Sequence, residues 1–185
     1  MVHDGSVGTE GKYLYTAEQR RRRDATGWTL VQGVLAPIQF VVFLVSLGLV
    51  IRFLLTGEGA VAATASVVIK TLVLYAIMIT GAFWERAVFG QFLFAPAFFW
   101  EDVVSMLVLA LHTAYLACVA GGFLEVQGQM LLALVAYLTY AINAAQFLAK
   151  FRMARRQAPA TPGGTRPAAT AVPEFPNGDA AGALR

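Results

Sequence analysis

Four stretches of this chain, residues 28–51, 60–84, 103–124 and 126–149, are almost free of charge, with Lys70 and His112 as the interruptions. Each is long enough to cross a hydrocarbon core of about 30 Å at about 1.5 Å per residue. The composition agrees: 58% of the residues are hydrophobic and 14% charged, far from the balance of a soluble domain. The expected fold is therefore an all-α integral membrane protein, a four-transmembrane-helix bundle. The first 27 residues are polar and the first apolar stretch is too long for a signal h-region, so no cleaved leader is expected.

The formal net charge of +3 could suggest an anionic partner, but the placement of the basic residues points to topology. Lys12 and the arginines at 20–23 precede the first span, Arg86 follows the second, and Lys150, Arg152, Arg155 and Arg156 follow the fourth. The connections "TGEG" (56–59) and "GGFLEVQG" (121–128) carry no lysine or arginine. The positive-inside rule then predicts both termini cytoplasmic. The arginine run is expected to sit against anionic lipid, with no nucleic-acid partner. "TAEQ" at 16–19 matches a capping box opening a short basic helix.

Residues 1–27 form a cytoplasmic segment, 28–152 the membrane domain, and 153–185 a tail rich in Ala, Pro and Gly that is expected to be disordered. The segment "ERAVFGQFLFAPAFFWED" (85–102) is too apolar for a solvated linker and too irregular for a fifth span. It predicts an interfacial or re-entrant connection, with Pro96 near the start of helix three. Cys118 is the only cysteine, so an intramolecular disulfide is excluded. No Gly-rich phosphate loop, HExxH or GxSxG occurs, which disfavours nucleotide chemistry, zinc proteolysis and serine hydrolysis.

Polar side chains in hydrocarbon are costly, so their positions carry information. At 100° per residue Glu101, Ser105, His112 and Tyr115 share an arc of about 80°, with Asp102 about 60° beyond its edge. Thr139, Asn143, Gln146 and Lys150 form a second stripe about 60° wide, and Gln32 and Gln39 lie on one side of the first span. Together they predict a polar cavity in the cytoplasmic half of the bundle, with Lys70 and His112 near the midplane and Pro37 kinking the first helix. The plainer alternatives are interhelical hydrogen-bond glue for the amides, a Lys70–Glu58 ion pair, and macrodipole stabilisation for Glu101 and Asp102. Paired acids suit proton transfer. Glu101 and His112 lie about 16 Å apart along the axis, too far to share one metal ion, and no protein-held metal is expected.

The blocks "YTAEQRRRRD", "LVQGVLAPIQFVVFLVSLGLVIRF", "ATASVVIKTLVLYAIMITGAFWE", "VFGQFLFAPAFFWEDVVSMLVLALHTAYL" and "INAAQFLAK", in order from about residue 13 to 152, resemble the 3-vinyl (2-vinyl) bacteriochlorophyllide hydratase family of anoxygenic phototrophic bacteria. The resemblance implies a membrane hydro-lyase of bacteriochlorophyll synthesis in the bacterial cytoplasmic, or intracytoplasmic photosynthetic, membrane. Such an enzyme adds water to the 3-vinyl group of chlorophyllide a or a bacteriochlorophyllide, needs no cofactor beyond the magnesium its substrate carries, and has neighbouring pigment-synthesis enzymes as further partners.

The resemblance supplies no catalytic residues, so the roles follow from the polar faces. Glu101 is expected as general acid and Asp102 as base or electrostatic stabiliser, or the reverse, with Glu85 a third candidate. His112 is expected as axial ligand to the substrate magnesium or as a positioner, and Lys70 as partner of a substrate carboxylate. Phe98, Phe99 and Trp100 would pack on the macrocycle, and Ser105, Asn143 and Gln146 would make polar contacts to it. A non-catalytic pigment carrier or assembly factor, and a small transporter, are the rival functions.

Overall fold

The computed structural model describes residues 14–157, and everything in them is helix, turn or short loop. A short amphipolar helix, α1 (Ala17–Ala25), is followed by α2 (Gly27–Thr56), α3 (Ala60–Phe89), α4 (Phe99–Gly121) and α5 (Val126–Gln157). The capping box is formed: Thr16 Oγ1 accepts from the Gln19 amide, and Gln19 Oε1 accepts from the Thr16 amide. Thr26, in extended conformation, ends α1 by donating its amide to the Arg22 carbonyl and opens α2 by accepting from the Trp28 amide. One residue thus turns the chain from a surface helix into a span.

Helices α2 to α5 are long and apolar enough to cross a membrane, the last over Val126–Arg155, which makes this a multi-pass membrane protein. Their outer faces expose Val41, Val61, Ile69, Leu131 and Leu138, as lipid contact requires. Helix α2 packs along α3 and α4 along α5, and the two hairpins close on each other through α2–α5 and α3–α4 contacts. Close approach along α5 is possible because Ala133 and Ala136, both fully buried, present almost no side chain. Gly57, at φ 73°, closes α2 in the left-handed conformation and returns its amide to the Phe53 carbonyl.

The helix ends differ from the apolar stretches. Helix α2 runs unbroken through Pro37 to Thr56, and α3 continues past Trp84 to Phe89, taking in Glu85 and Arg86. Helix α4 starts at Phe99, so Glu101 and Asp102 lie in its first turn. The expected re-entrant connection is therefore only the loop 90–98, since both of its flanks are helix. Residues 153–157 continue α5 where disorder was expected; 1–13 and 158–185, with the rest of the tail, lie outside the described residues.

Candidate active site

The loop 90–98 folds over one end of the bundle, the end that carries α1. Gly90, at φ 86°, stops α3, and a turn closes from the Phe98 amide to the Ala95 carbonyl at 2.8 Å across Pro96. Pro96 fits the second position of that turn, where its fixed φ is preset. Phe98 then points inward, fully buried, and packs with Trp84, Phe89, Tyr15 and Phe147 at ring separations of 5.7 to 6.2 Å. Burial pushes the Tyr15 hydroxyl up to about 12, so it packs in this cluster as the neutral phenol, with the Arg23 guanidinium 5.1 Å from its ring centroid.

Anchoring Phe98 aims the loop backbone at two acids. The Phe94 amide donates to Asp102 Oδ2 at 2.7 Å, and the next amide, Ala95, donates to Glu85 Oε2 at 3.3 Å. Glu85 from the last turns of α3 and Asp102 from the first turn of α4 are both buried, side by side under consecutive loop amides. Two carboxylates buried side by side repel each other, and a single proton shared between them relieves that repulsion. Phe94 takes φ 60°, the only positive φ of a non-glycine among the described residues. Such a conformation costs on the order of 1 kcal/mol and is held here by the bond to Asp102.

Glu101 faces the other way. One residue from Asp102, it turns by about 100° around α4 and meets α5, where Lys150 Nζ donates to both its oxygens at 3.0 and 3.1 Å. Asn143 Nδ2 donates to the Glu101 carbonyl at 2.9 Å and to Ser105 Oγ at 3.1 Å. The expected pairing of Glu101 with Asp102 is thus replaced by two separate arrangements, Glu85 with Asp102 and Glu101 with Lys150.

Deeper in the bundle, Lys70 Nζ lies 2.6 Å from His112 Nε2. His112 Nδ1 lies 2.8 Å from the Val108 carbonyl, which can only accept, so Nδ1 carries the hydrogen and Nε2 accepts from lysine. Lys70 Nζ sits 4.2 Å from the Tyr140 ring centroid, over its electron-rich face. Beside it Tyr137 shares a hydrogen bond with Ser46 at 2.6 Å, and Ser46 one with Ser66 at 2.7 Å.

Residues 15–153 match the family described as 2-vinyl bacteriochlorophyllide hydratase. The chain belongs to that family. The 2-vinyl bacteriochlorophyllide hydratase of Cereibacter sphaeroides is 67% identical over 143 residues, covering 77% of this chain and 88% of the relative. The protein of the same name from Rhodobacter capsulatus is 64% identical over 154 residues, covering 83% and 90%. No solved structure matches.

In this member of the hydratase family, several sequence expectations change. His112 and Lys70 are fully buried and bonded to each other through Nε2 and Nζ, while His112 Nδ1 bonds the Val108 carbonyl, so His112 has no free nitrogen for a magnesium ion and Lys70 no exposed face for a carboxylate. Nor does Lys70 pair with Glu58, which lies 3.7 Å from Arg52. Phe99 is half exposed and Trp100 69% exposed; of the three aromatic neighbours only Phe98 enters the interior. Ser105 and Asn143 do meet, and Gln146 keeps a buried Oε1 without a partner. Among the described residues no group of three His, Cys, Asp or Glu could hold a metal ion. The Ser46–Ser66–Tyr137 chain and Tyr140 escaped the sequence reading, because serine and tyrosine in a span carry no charge to flag them.

The Lys70–His112 contact makes a quantitative prediction. His112→Leu leaves a buried amine without its partner and costs about 1–3 kcal/mol of stability in detergent. Lys70→Met costs a similar amount, while the double variant recovers most of the loss, because replacing both buried partners by apolar groups is close to neutral. Denaturant unfolding of all three measures the coupling; purely additive effects would show that the pair does not act as a unit.

Proposed function

We propose that this chain hydrates the vinyl group of chlorophyllide a or a closely related bacteriochlorophyllide to the 1-hydroxyethyl product, acting as a hydro-lyase of bacteriochlorophyll synthesis. The observation that carries the reaction is the 64% and 67% identity to two relatives named as hydratases of this substrate, over 88–90% of their length. The chemistry rests on the Glu85–Asp102 pair. The protonated carboxyl gives its proton to the terminal vinyl carbon, leaving a cation beside the ring that the macrocycle delocalises. The other carboxylate stabilises that cation, a contribution specific to the transition state, and takes a proton from water as its oxygen bonds to the cationic carbon. The pair ends with one proton, as it began, and no cofactor is required; magnesium enters only with the pigment.

Glu101 has both oxygens engaged by Lys150 and is poorly placed to donate a proton. Its role is to hold α4 against α5 beside the pair. Phe99 and Trp100, exposed at the same end, suit contact with a flat pigment arriving from the interface. The clustering of arginine and lysine in α1 and at the end of α5 supports a cytoplasmic location for this end and both termini, in a photosynthetic membrane beside the enzymes that make and consume the pigment.

Purified protein in detergent, given chlorophyllide a, is expected to yield a product heavier by one water. Pigment bound but unchanged would favour a carrier, and no binding would remove the pigment from the account.

A further inference from the structure

Gln39 is 1% exposed, and neither its Oε1 nor its Nε2 has a hydrogen-bond partner. An amide closed in a bundle with both ends unsatisfied is among the least favourable arrangements in a protein interior, and it calls for an occupant. Its surroundings follow from the helix registers. Gln39, Phe43, Ser46 and Val50 are the buried stripe of α2. Phe43 meets the Tyr140 ring at 4.9 Å and Ser46 meets Tyr137 at 2.6 Å. Helices α2 and α5 are therefore antiparallel, and one turn back along α2 from Phe43 corresponds to one turn on along α5 from Tyr140.

Gln39 thus lies level with Asn143, whose amide bonds Ser105 of α4. The bonds of Gln32 to Thr80 and Ser46 to Ser66 put the buried Leu74 on the third side. Asp102 is three residues from Ser105 toward the loop-covered end, about 4.5 Å along the axis. Gln146, with its own unpartnered buried Oε1, is three residues from Asn143 in the same direction. Unpartnered buried amide atoms of Gln39 on α2 and Gln146 on α5 therefore follow one another along the axis toward the end that carries the carboxyl pair.

We propose that Gln39 holds the water added to the vinyl group, and that Gln39 and Gln146 line a short water passage opening on Glu85 and Asp102. Water alone suits both ends of the amide, accepting from Nε2 and donating to Oε1; a pigment carbonyl satisfies only the donor and a ring edge neither. The Oε1 and Nε2 of Gln39 by themselves supply the two polar partners that a buried water needs at least. In the added step the water oxygen bonds to the cationic carbon and its proton passes to the carboxylate of the pair, so nothing further is consumed.

This inference rests on the hydratase activity, and its test separates the two. Gln39→Leu keeps the volume and removes both polar ends. It is expected to bind chlorophyllide within about twofold of the parent while turnover falls roughly 10- to 100-fold, with no loss of thermal stability. Radiolytic labelling in heavy-oxygen water, which oxidises side chains beside bound water, is expected to mark Phe43 and Tyr140 in the parent and several-fold less in the variant. Unchanged turnover, or a loss of turnover matched by loss of pigment binding, overturns the proposal. If the variant does not fold, the parent labelling decides: unmarked rings mean that no water is held there. A parent that never hydrates the pigment defeats the activity, while the labelling still reports on the water site.

Discussion

Asp102→Asn lowers hydration turnover by about 100- to 10,000-fold, the range of a lost general acid or base, and Glu85→Gln does the same. Both amides keep an oxygen that accepts from the loop amides of Phe94 and Ala95, so the clamp seen at 2.7 and 3.3 Å persists and chlorophyllide still binds. The double variant is little worse than either single one, because the two groups act on one proton as a unit. Glu101→Gln, by contrast, gives up part of the contact to Lys150 and leaves turnover within about tenfold of the parent, as expected when a hydrogen bond to a charged group weakens away from the reacting atoms. Single-turnover rates on saturating chlorophyllide check this ordering. A severe defect in Glu101→Gln beside near-normal Asp102→Asn would move the proton chemistry to the other side of α4.

That ordering was hidden in the sequence for a definite reason. Helical periodicity of α4 groups Glu101 with Ser105 and His112 and leaves Asp102 off the edge of the arc, and each of these residues is indeed buried. Periodicity describes one helix, however, and the side chains that decide function lie across helix boundaries. Asp102 looked marginal because its partner, Glu85, sits on α3, beyond what the hydropathy of 60–84 marks as span. The spans themselves were legible because lipid leaves long apolar helices as the open solution, and the capping box at Thr16 because its spacing has a mechanism. The helix ends were not legible from apolarity, since Glu85 and Arg86 remain helical at the interface. The better signal was Gly90, the left-handed stop. In the same way, Lys70 and His112 were each visible as polar groups at mid-depth, while their pairing is a property of how α3 meets α4.

Phe98→Ala is expected to be the most destabilising single substitution near the site, at about 3–5 kcal/mol. The ring is fully buried and touches Tyr15, Trp84, Phe89, Phe147 and Phe151, with Lys150 5.5 Å from its centroid. Removing it therefore strips contacts from the segment before α1, from α3 and from α5 at once. Lipid cannot refill such a gap between helices, and the lost packing has no counterpart. Turnover should fall too, because Phe98 closes the turn with Ala95 and accepts the first helical bond of Asp102. A shift of about 1 Å in those amides is enough to cost on the order of 100-fold. Phe98→Leu keeps most of the volume and should restore stability to within about 1.5 kcal/mol. Trp100→Ala, at a 69% exposed position, should change stability by no more than about 0.5 kcal/mol. Unfolding midpoints in detergent for the three variants, measured beside their turnover, separate the two neighbours: equal losses at 98 and 100 would mean that the aromatic cluster is not what holds the loop over the carboxyl pair.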